Sequence, residues 1–240
     1  FARNANGDVH VTPLGRRLLA DEGWDPYLVS AAGRWLMHWQ IAARPEAAFS
    51  WFFVFNLLRA GEFSTMSLAE QIQAYATEQA WKIPAIATLV RDVECLLHTY
   101  VPPDQRRLST GVEDALACPL TSLGLIRAFP GQRRYYLASG AQPSLPDALV
   151  AWAILGFLRQ HGERTIAFND LAYAPGSPGR VFRLDEDGLL GRLLMLDSLT
   201  AGALVYNDQA GIRQVYWTGE PDQVDQLADQ LLERTFEEAV

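Results

Sequence analysis

The sequence is poor in the residues from which most metal centres and many catalytic sites are made. It has two cysteines, Cys95 and Cys118, and only four histidines, at positions 10, 38, 98 and 161, spread over 240 residues. So few cysteines exclude a disulfide framework and fit a reducing compartment. Walker loops, GxSxG, HExxH and paired CxxC motifs are all missing, which removes the commonest nucleotide, hydrolase and zinc chemistries. Long apolar runs are missing as well. The stretch AFSWFFVFNLL at 48–58 is among the most apolar in the chain, yet it is too short to span a bilayer. No signal peptide opens the sequence, so a cytoplasmic protein without a membrane partner is expected. Basic charge is also scarce: 20 Lys and Arg stand against 28 Asp and Glu, a net charge of −8. That excludes a surface coated in basic residues for duplex DNA, while leaving room for a local basic groove.

What the sequence does contain is apolar and aromatic. Hydrophobic residues make up 49% of it, with 7 Trp, 8 Tyr and 11 Phe, enough for a sizeable core and too many for a disordered chain. The segment DVHVTPLGRRLLADEGWDPY reads as a short strand around Val9 and Val11, then a brief helix from Leu14 to Ala20. This resembles the exit of a winged helix-turn-helix wing, so residues 1–26 are expected to be the tail end of a truncated N-terminal module.

Residues 27–104 carry helical periodicity. Leu28, Ala32, Trp35, Leu36 and Trp39 recur at spacings of three and four. AAFSWFFVFNLLR is apolar nearly all round and predicts a buried helix. Ser67 followed by Glu70 reads as a capping box opening a third helix, and Pro84 opens a fourth that ends before Pro102 and Pro103. Residues 105–142 predict short helices and a β-hairpin around Pro130-Gly131. Residues 143–240 predict a helix closed by Gly162, a strand at RTIAF and a helical turn capped by Asn169. A helix from Asp185, a hairpin across Gln209-Ala210-Gly211 and a terminal helix follow. Helix, strand, helix, helix, hairpin is winged-helix order. The fold class expected is mainly α with small β-hairpins, a helical bundle core carrying winged-helix-like modules.

Chemistry has few places to sit. In LVRDVECLLHTY, Arg91, Glu94, Cys95 and His98 fall three and four apart on one helix face, with Asp92 nearby. Two carboxylates, an imidazole and a guanidinium in two turns can hold a divalent cation and a phosphodiester. They can equally be a solvated or interhelical ion-pair face. His38, between Trp35 and Trp39, is either a base or stacking platform, or a core histidine with a hydrogen bond. Asn56, in an apolar helix, needs a partner if buried. Arg106, Arg107, Arg127, Arg133 and Arg134, interleaved with Tyr135 and Tyr136, form the most basic local patch, on the first hairpin. In PGSPGRVFRLDEDG, Arg180 and Arg183 are possible phosphate contacts. The acidic start Asp185, Glu186 and Asp187 opposes a duplex at the following helix.

The phrases WDPYL, RWLMHW, LVRDVECLLHTYV, CPLTSLGLI, LPDALVAWAIL and PGSPGRVFRLDEDGLLGRL occur in that order. Together they resemble the prokaryotic domain-of-unknown-function 4007 family, and within it the DNA-nicking component of Ssp-type single-strand DNA phosphorothioation (anti-phage) systems. The resemblance spans Trp24 to Thr218. It implies a role in replacing a non-bridging phosphate oxygen with sulfur, beside an ATPase and a phosphosulfate-reductase-like sulfur-transfer partner. It brings no catalytic set with it. The residues expected to act are therefore Asp92, Glu94 and His38 in catalysis, with Asp92 and Glu94 holding Mg or Mn. Arg91, Arg133, Arg134, Arg180 and Arg183 are expected on DNA. The alternative is a non-catalytic winged-helix adaptor that binds DNA or bridges proteins in the same kind of system.

Overall fold

The computed structural model describes residues 2–5, 8–82, 84–103 and 117–237. The chain opens with an antiparallel pair, β1 (Ala2–Ala5) and β2 (Asp8–Val11), followed by α1 (Pro13–Leu19), which Thr12 caps. Between α1 and α2 (Ala31–Ala42), the buried Asp25 carboxylate accepts from the Val29 and Ser30 amides and the Ser30 hydroxyl. Ser30 in turn caps α2 through the Gly33 amide at 2.9 Å. The start of α2 is thereby tied to the preceding loop.

The apolar segment after Pro45 is not a single α-helix. It begins as α3 (Phe49–Phe52) and relaxes into a π-helical turn, Phe53–Leu57, closed by the Leu58 amide on the Phe53 carbonyl at 2.8 Å. Asn56 gives the reason. It is 2% exposed, and its amide donates to the carbonyls of Ala42 and Phe52. Helix α4 (Thr65–Glu78) starts earlier than expected, because Ser64 is the cap and Ser67 completes the reciprocal box that Glu70 was expected to fill. Helix α5 (Ile86–Tyr100) buries Leu89, Val93, Leu96, Leu97 and Tyr100 along one stripe.

The short helix expected near 112–118 falls largely outside the described residues, as do Arg106 and Arg107. From Pro119–Leu123 a 3₁₀ turn leads into the hairpin β3 (Ile126–Ala128) and β4 (Tyr135–Leu137), to which Phe63 adds a bridge at Tyr135. Helix α6 (Asp147–His161) is buried along most of its length and ends at Gly162, whose φ of 67° suits glycine. Strand β5 (Thr165–Ala167) leads into α7 (Phe168–Tyr173), which Ala167, not Asn169, precedes as cap. The short α8 (Pro178–Val181) comes next. The helix expected from Asp185 is split into α9 (Glu186–Leu193) and α10 (Leu196–Leu199), with Asp185 as the cap of α9.

Strands β6 (Leu204–Gln209) and β7 (Ile212–Trp217) turn through Ala210 and Gly211, both at positive φ, a two-residue turn. Their antiparallel sheet has the order β5-β7-β6. Helix α11 (Val224–Glu237) packs along α6. Buried side chains from Leu18 to Phe236 join one apolar cluster. The protein is mainly helical with small antiparallel sheets.

Candidate functional site

The face of α5 that carries Arg91, Cys95 and His98 points to solvent, with Glu94 half-buried beside it. Asp92 is exposed too, on the side of the helix that faces Ser50. It accepts a hydrogen bond from the buried Ser50 hydroxyl and opens onto a cavity of about 470 Å³. Phe49, Ile72, Trp81, Lys82 and Leu89 are among the residues that line it. Phe49, Tyr75 and Trp81 contact one another edge-on or tilted, with ring centroids 5.0 to 5.8 Å apart. The cavity is therefore an aromatic chamber with one hydroxyl–carboxylate pair in its wall and one lysine at its edge.

Asp92 and Glu94 do not converge. Two residues along an α-helix turn a side chain through about 200°, so the two carboxylates diverge and form no chelating pair. Among the described residues no three His, Cys, Asp or Glu side chains gather closely enough to hold a metal ion.

His38 is fully buried, and both ring nitrogens are engaged. The Val181 carbonyl 2.7 Å from Nε2 can only accept, so Nε2 carries the proton and Nδ1 accepts from the Tyr100 hydroxyl, also at 2.7 Å. Burial lowers the His38 pKa to about 4, against a smaller opposing effect of the Val181 hydrogen bond. Burial likewise raises that of Tyr100 well above the phenol range, so the hydroxyl remains a donor. Trp35, Phe55 and Tyr100 contact the imidazole edge-on. No ring nitrogen is left for a substrate. His38 instead braces α2 and α5 against the turn at 175–183.

That turn is held at a second point by Asn56, whose side-chain oxygen accepts from the Gly176 amide at 2.8 Å. Gly176 has φ of 80°, and a Cβ there would lie 3.1 Å from the Ala43 carbonyl oxygen, so glycine is required twice over. Ser177, fully buried, caps α8. Beyond it Arg183 adopts φ of 56° and donates to the Ser139 hydroxyl at 2.6 Å, while Gly140 bridges Leu184. Arg192 donates to the carbonyls of Ala141, Gln142 and Leu145 and fixes the same linker from below. Of the hairpin arginines, Arg133 is exposed and Arg134 pairs with Glu62.

The rigid turn brings together a cluster that periodicity does not reveal. Tyr173, the last residue of α7, is 49% exposed, and its hydroxyl donates to the carboxylate of Glu186, the first residue of α9. Arg180 donates Nε to the Tyr173 carbonyl at 3.1 Å. Arg213, from β7, lies over the Phe168 ring at 3.8 Å and donates to the Tyr206 hydroxyl at 3.1 Å. The Glu186 hydrogen bond raises the Tyr173 pKa, while the Arg180 and Arg213 charges act to lower it. A phenol, the Glu186 carboxylate and the half-buried Arg180 thus share one corner, and the charge of Arg213, itself paired with Asp208 at 3.8 Å, reaches the same phenol. Guanidinium groups beside a phenol are suited to an anionic ligand. The acidic run after Arg183 was the visible signal; Tyr173 carried none of its own.

Comparison with known proteins fits a whole-chain relationship. No curated protein matches the sequence. A solved structure described as "SspB crystal structure" matches with a TM-score of 0.82 and 30% identity, covering 95% of this chain and 67% of that one. A second, "Magnesium ion-bound SspB crystal structure", matches with a TM-score of 0.83 and 28% identity, covering 98% and 72%. The sequence profile of the family described as "Protein of unknown function (DUF4007)" matches residues 2–236. With the family's profile matching residues 2–236, the chain belongs to the DUF4007 family.

Proposed function

We propose that the chain is the DNA-nicking component of a bacterial DNA phosphorothioate modification, anti-phage system. In this reading it opens one strand so that a non-bridging phosphate oxygen can be replaced by sulfur. An ATPase and a phosphosulfate-reductase-like sulfur-transfer protein act beside it. The likeness to SspB over 95% of the chain is the observation that carries this reading. The net charge of −8 is compatible with it because phosphate contacts need only a local basic surface. Arg133 offers one at the tip of the first hairpin, and Arg180 and Arg213 offer two cations in the C-terminal half beside the carboxylates of Glu186 and Asp208.

Magnesium or manganese enters as a cofactor of the reaction mixture, supported by the magnesium-bound relative. Asp92 and Glu94 are not proposed to hold it, since their carboxylates diverge. The test is conversion of supercoiled plasmid to open circle by the purified protein, with Mg, with Mn and with neither, each with and without the partner proteins. Open circle in any of these supports nicking. Intact plasmid in all of them ends the reading.

A second reading has its own observation. A helix, a strand, the four helices α7 to α10 and a hairpin make up the C-terminal half, and Asp185, Glu186 and Asp187 are exposed around the start of α9. This suits a winged-helix-like adaptor that avoids the major groove. Intact plasmid together with salt-dependent DNA retardation, lost on replacing Arg133 and Arg134, would support its DNA-binding form. Co-purification with the ATPase would support its bridging form.

A further inference from the structure

The Tyr173 corner holds the groups of a phosphoryl-transfer centre, and it is built so that neither partner is needed for the core. Tyr173 and Glu186 are both exposed, and they come from two helices separated by the turn that His38 and Asn56 clamp. A hydrogen bond between two exposed side chains adds little to stability. A merely structural origin would thus leave unexplained why Arg180 is tethered to the Tyr173 carbonyl. Arg213, held over Phe168 and paired with Asp208, adds a second positive charge that reaches the same phenol. The Ser50 hydroxyl, by contrast, is 2% exposed and out of reach of a DNA backbone.

Resting on the nicking function proposed above, we propose that Tyr173 is the nucleophile of strand opening, with Glu186 as its base and Arg180 and Arg213 as the clamp on the scissile phosphate. Nucleophilic hydroxyls are activated by an adjacent general base, and the charge that grows on the phosphoryl oxygens is stabilised by preorganised cations. In the step, Tyr173 Oη attacks phosphorus and forms an O–P bond. The phenol proton passes to the Glu186 carboxylate. The bond from phosphorus to one deoxyribose oxygen breaks, and that oxygen takes a proton from solvent. The products are a phosphotyrosyl linkage at one side of the nick and a free hydroxyl at the other. No water enters the bond and no oxidant or reductant is used. Because the phosphoester bond is exchanged and not hydrolysed, the strand can be resealed by the reverse step without a nucleotide cofactor.

The experiment uses uniformly radiophosphorus-labelled supercoiled plasmid, the purified chain and Mg, stopped with SDS and digested with nuclease. Label is expected to remain on the protein band. Tyr173→Phe is expected to abolish it and to slow nicking by at least about 100-fold, the scale of losing a nucleophile or its base. Glu186→Gln is expected to lower both by about 100- to 10,000-fold. Unchanged thermal melting of both variants shows that the fold is intact. Wild-type nicking with no label on the protein, and Tyr173→Phe nicking at the wild-type rate, would overturn the proposal and leave the nicking function standing. No nicking by the wild type, alone or with its partners, would overturn both.

Discussion

Two hydroxyl–carboxylate pairs occupy opposite settings in this molecule, and the contrast separates a packing device from a reactive centre. Ser50 donates to Asp92 in the wall of an aromatic cavity in the helical bundle; Tyr173 donates to Glu186 on the surface of the C-terminal half. The bonds are chemically alike. Both carboxylates are exposed, and the hydroxyls differ. Ser50 is 2% exposed among Phe49, Ile72 and Leu89, whereas Tyr173 is 49% exposed, with Arg180 on its carbonyl and the Arg213 charge reaching it. An acid–hydroxyl pair becomes phosphate chemistry where cations converge on it and a polymer can reach it. Without those conditions the same pair organises a cavity large enough for a small planar molecule.

The largest expected effect tests that distinction directly. Glu186→Gln should slow plasmid nicking by about 100- to 10,000-fold, the loss of a general base, while Asp92→Ala should leave the rate within a few-fold. Initial rates of open-circle formation decide it. If the two variants exchange behaviours, the reactive centre is the cavity and the surface pair is ornamental.

The next effect concerns the brace between the two regions. His38→Ala removes a buried ring and strands the Tyr100 hydroxyl and the Val181 carbonyl. A cost of about 3–5 kcal/mol is expected, measured by denaturant unfolding. The same histidine makes stability depend on pH. Its folded pKa of about 4 lies below the ordinary value of 6.5, so between these values the unfolded chain binds more protons. The stabilisation is complete above 6.5 and declines as the pH falls toward 4, by about 2 kcal/mol at pH 5. His38→Phe should remove this dependence. A wild-type profile that is flat from pH 7 to 5 would contradict a neutral buried imidazole.

Asn56→Ala should cost less, about 1–3 kcal/mol, the penalty for unpairing the Ala42 carbonyl and the Gly176 amide. Its informative readout is local. Hydrogen exchange at the Gly176 amide should accelerate, with slower nicking if the turn sets the Tyr173–Glu186 geometry. Faster exchange with unchanged nicking would detach the reactive corner from the bundle.

The elements visible in the sequence are those whose signal is local. The helix that ends before Pro102 and Pro103, the glycine at 162 and the Gln209-Ala210-Gly211 turn each follow from spacing or from one residue's backbone freedom. The π-helical turn was not visible, because a segment apolar nearly all round has no periodicity to distinguish one winding from another. Helical spacing puts Glu94 on one face with Arg91, Cys95 and His98 and Asp92 beside it, yet the helix carries the two carboxylates to different sides. His38 finds its carbonyl partner 143 residues away, a contact that no local pattern encodes. Tyr173 and Glu186 are 13 residues apart across a turn with two prolines, which neither helical nor strand spacing relates. The family resemblance located the turn as distinctive; only the folded arrangement shows what it brings together.

The smallest expected effect asks how far the DNA-binding surface extends from the reactive corner. Arg183 meets Ser139, just beyond β4, whereas Arg133 sits at the opposite end of that strand. Six residues separate Arg133 from Ser139, a span of at most about 20 Å. If DNA follows that line, Arg133→Ala should lower affinity a few-fold without regard to sequence. The slope of log affinity against log salt should fall by about 0.9, one phosphate contact. Filter binding of a short duplex over a salt series measures it. Arg134 is the poorer probe, because its replacement frees Glu62 and adds a negative charge to the same surface. An unchanged slope for Arg133→Ala would confine the DNA to the Tyr173 corner. A reduced slope with normal nicking would make the hairpin a positioning arm, separate from the residues that cut.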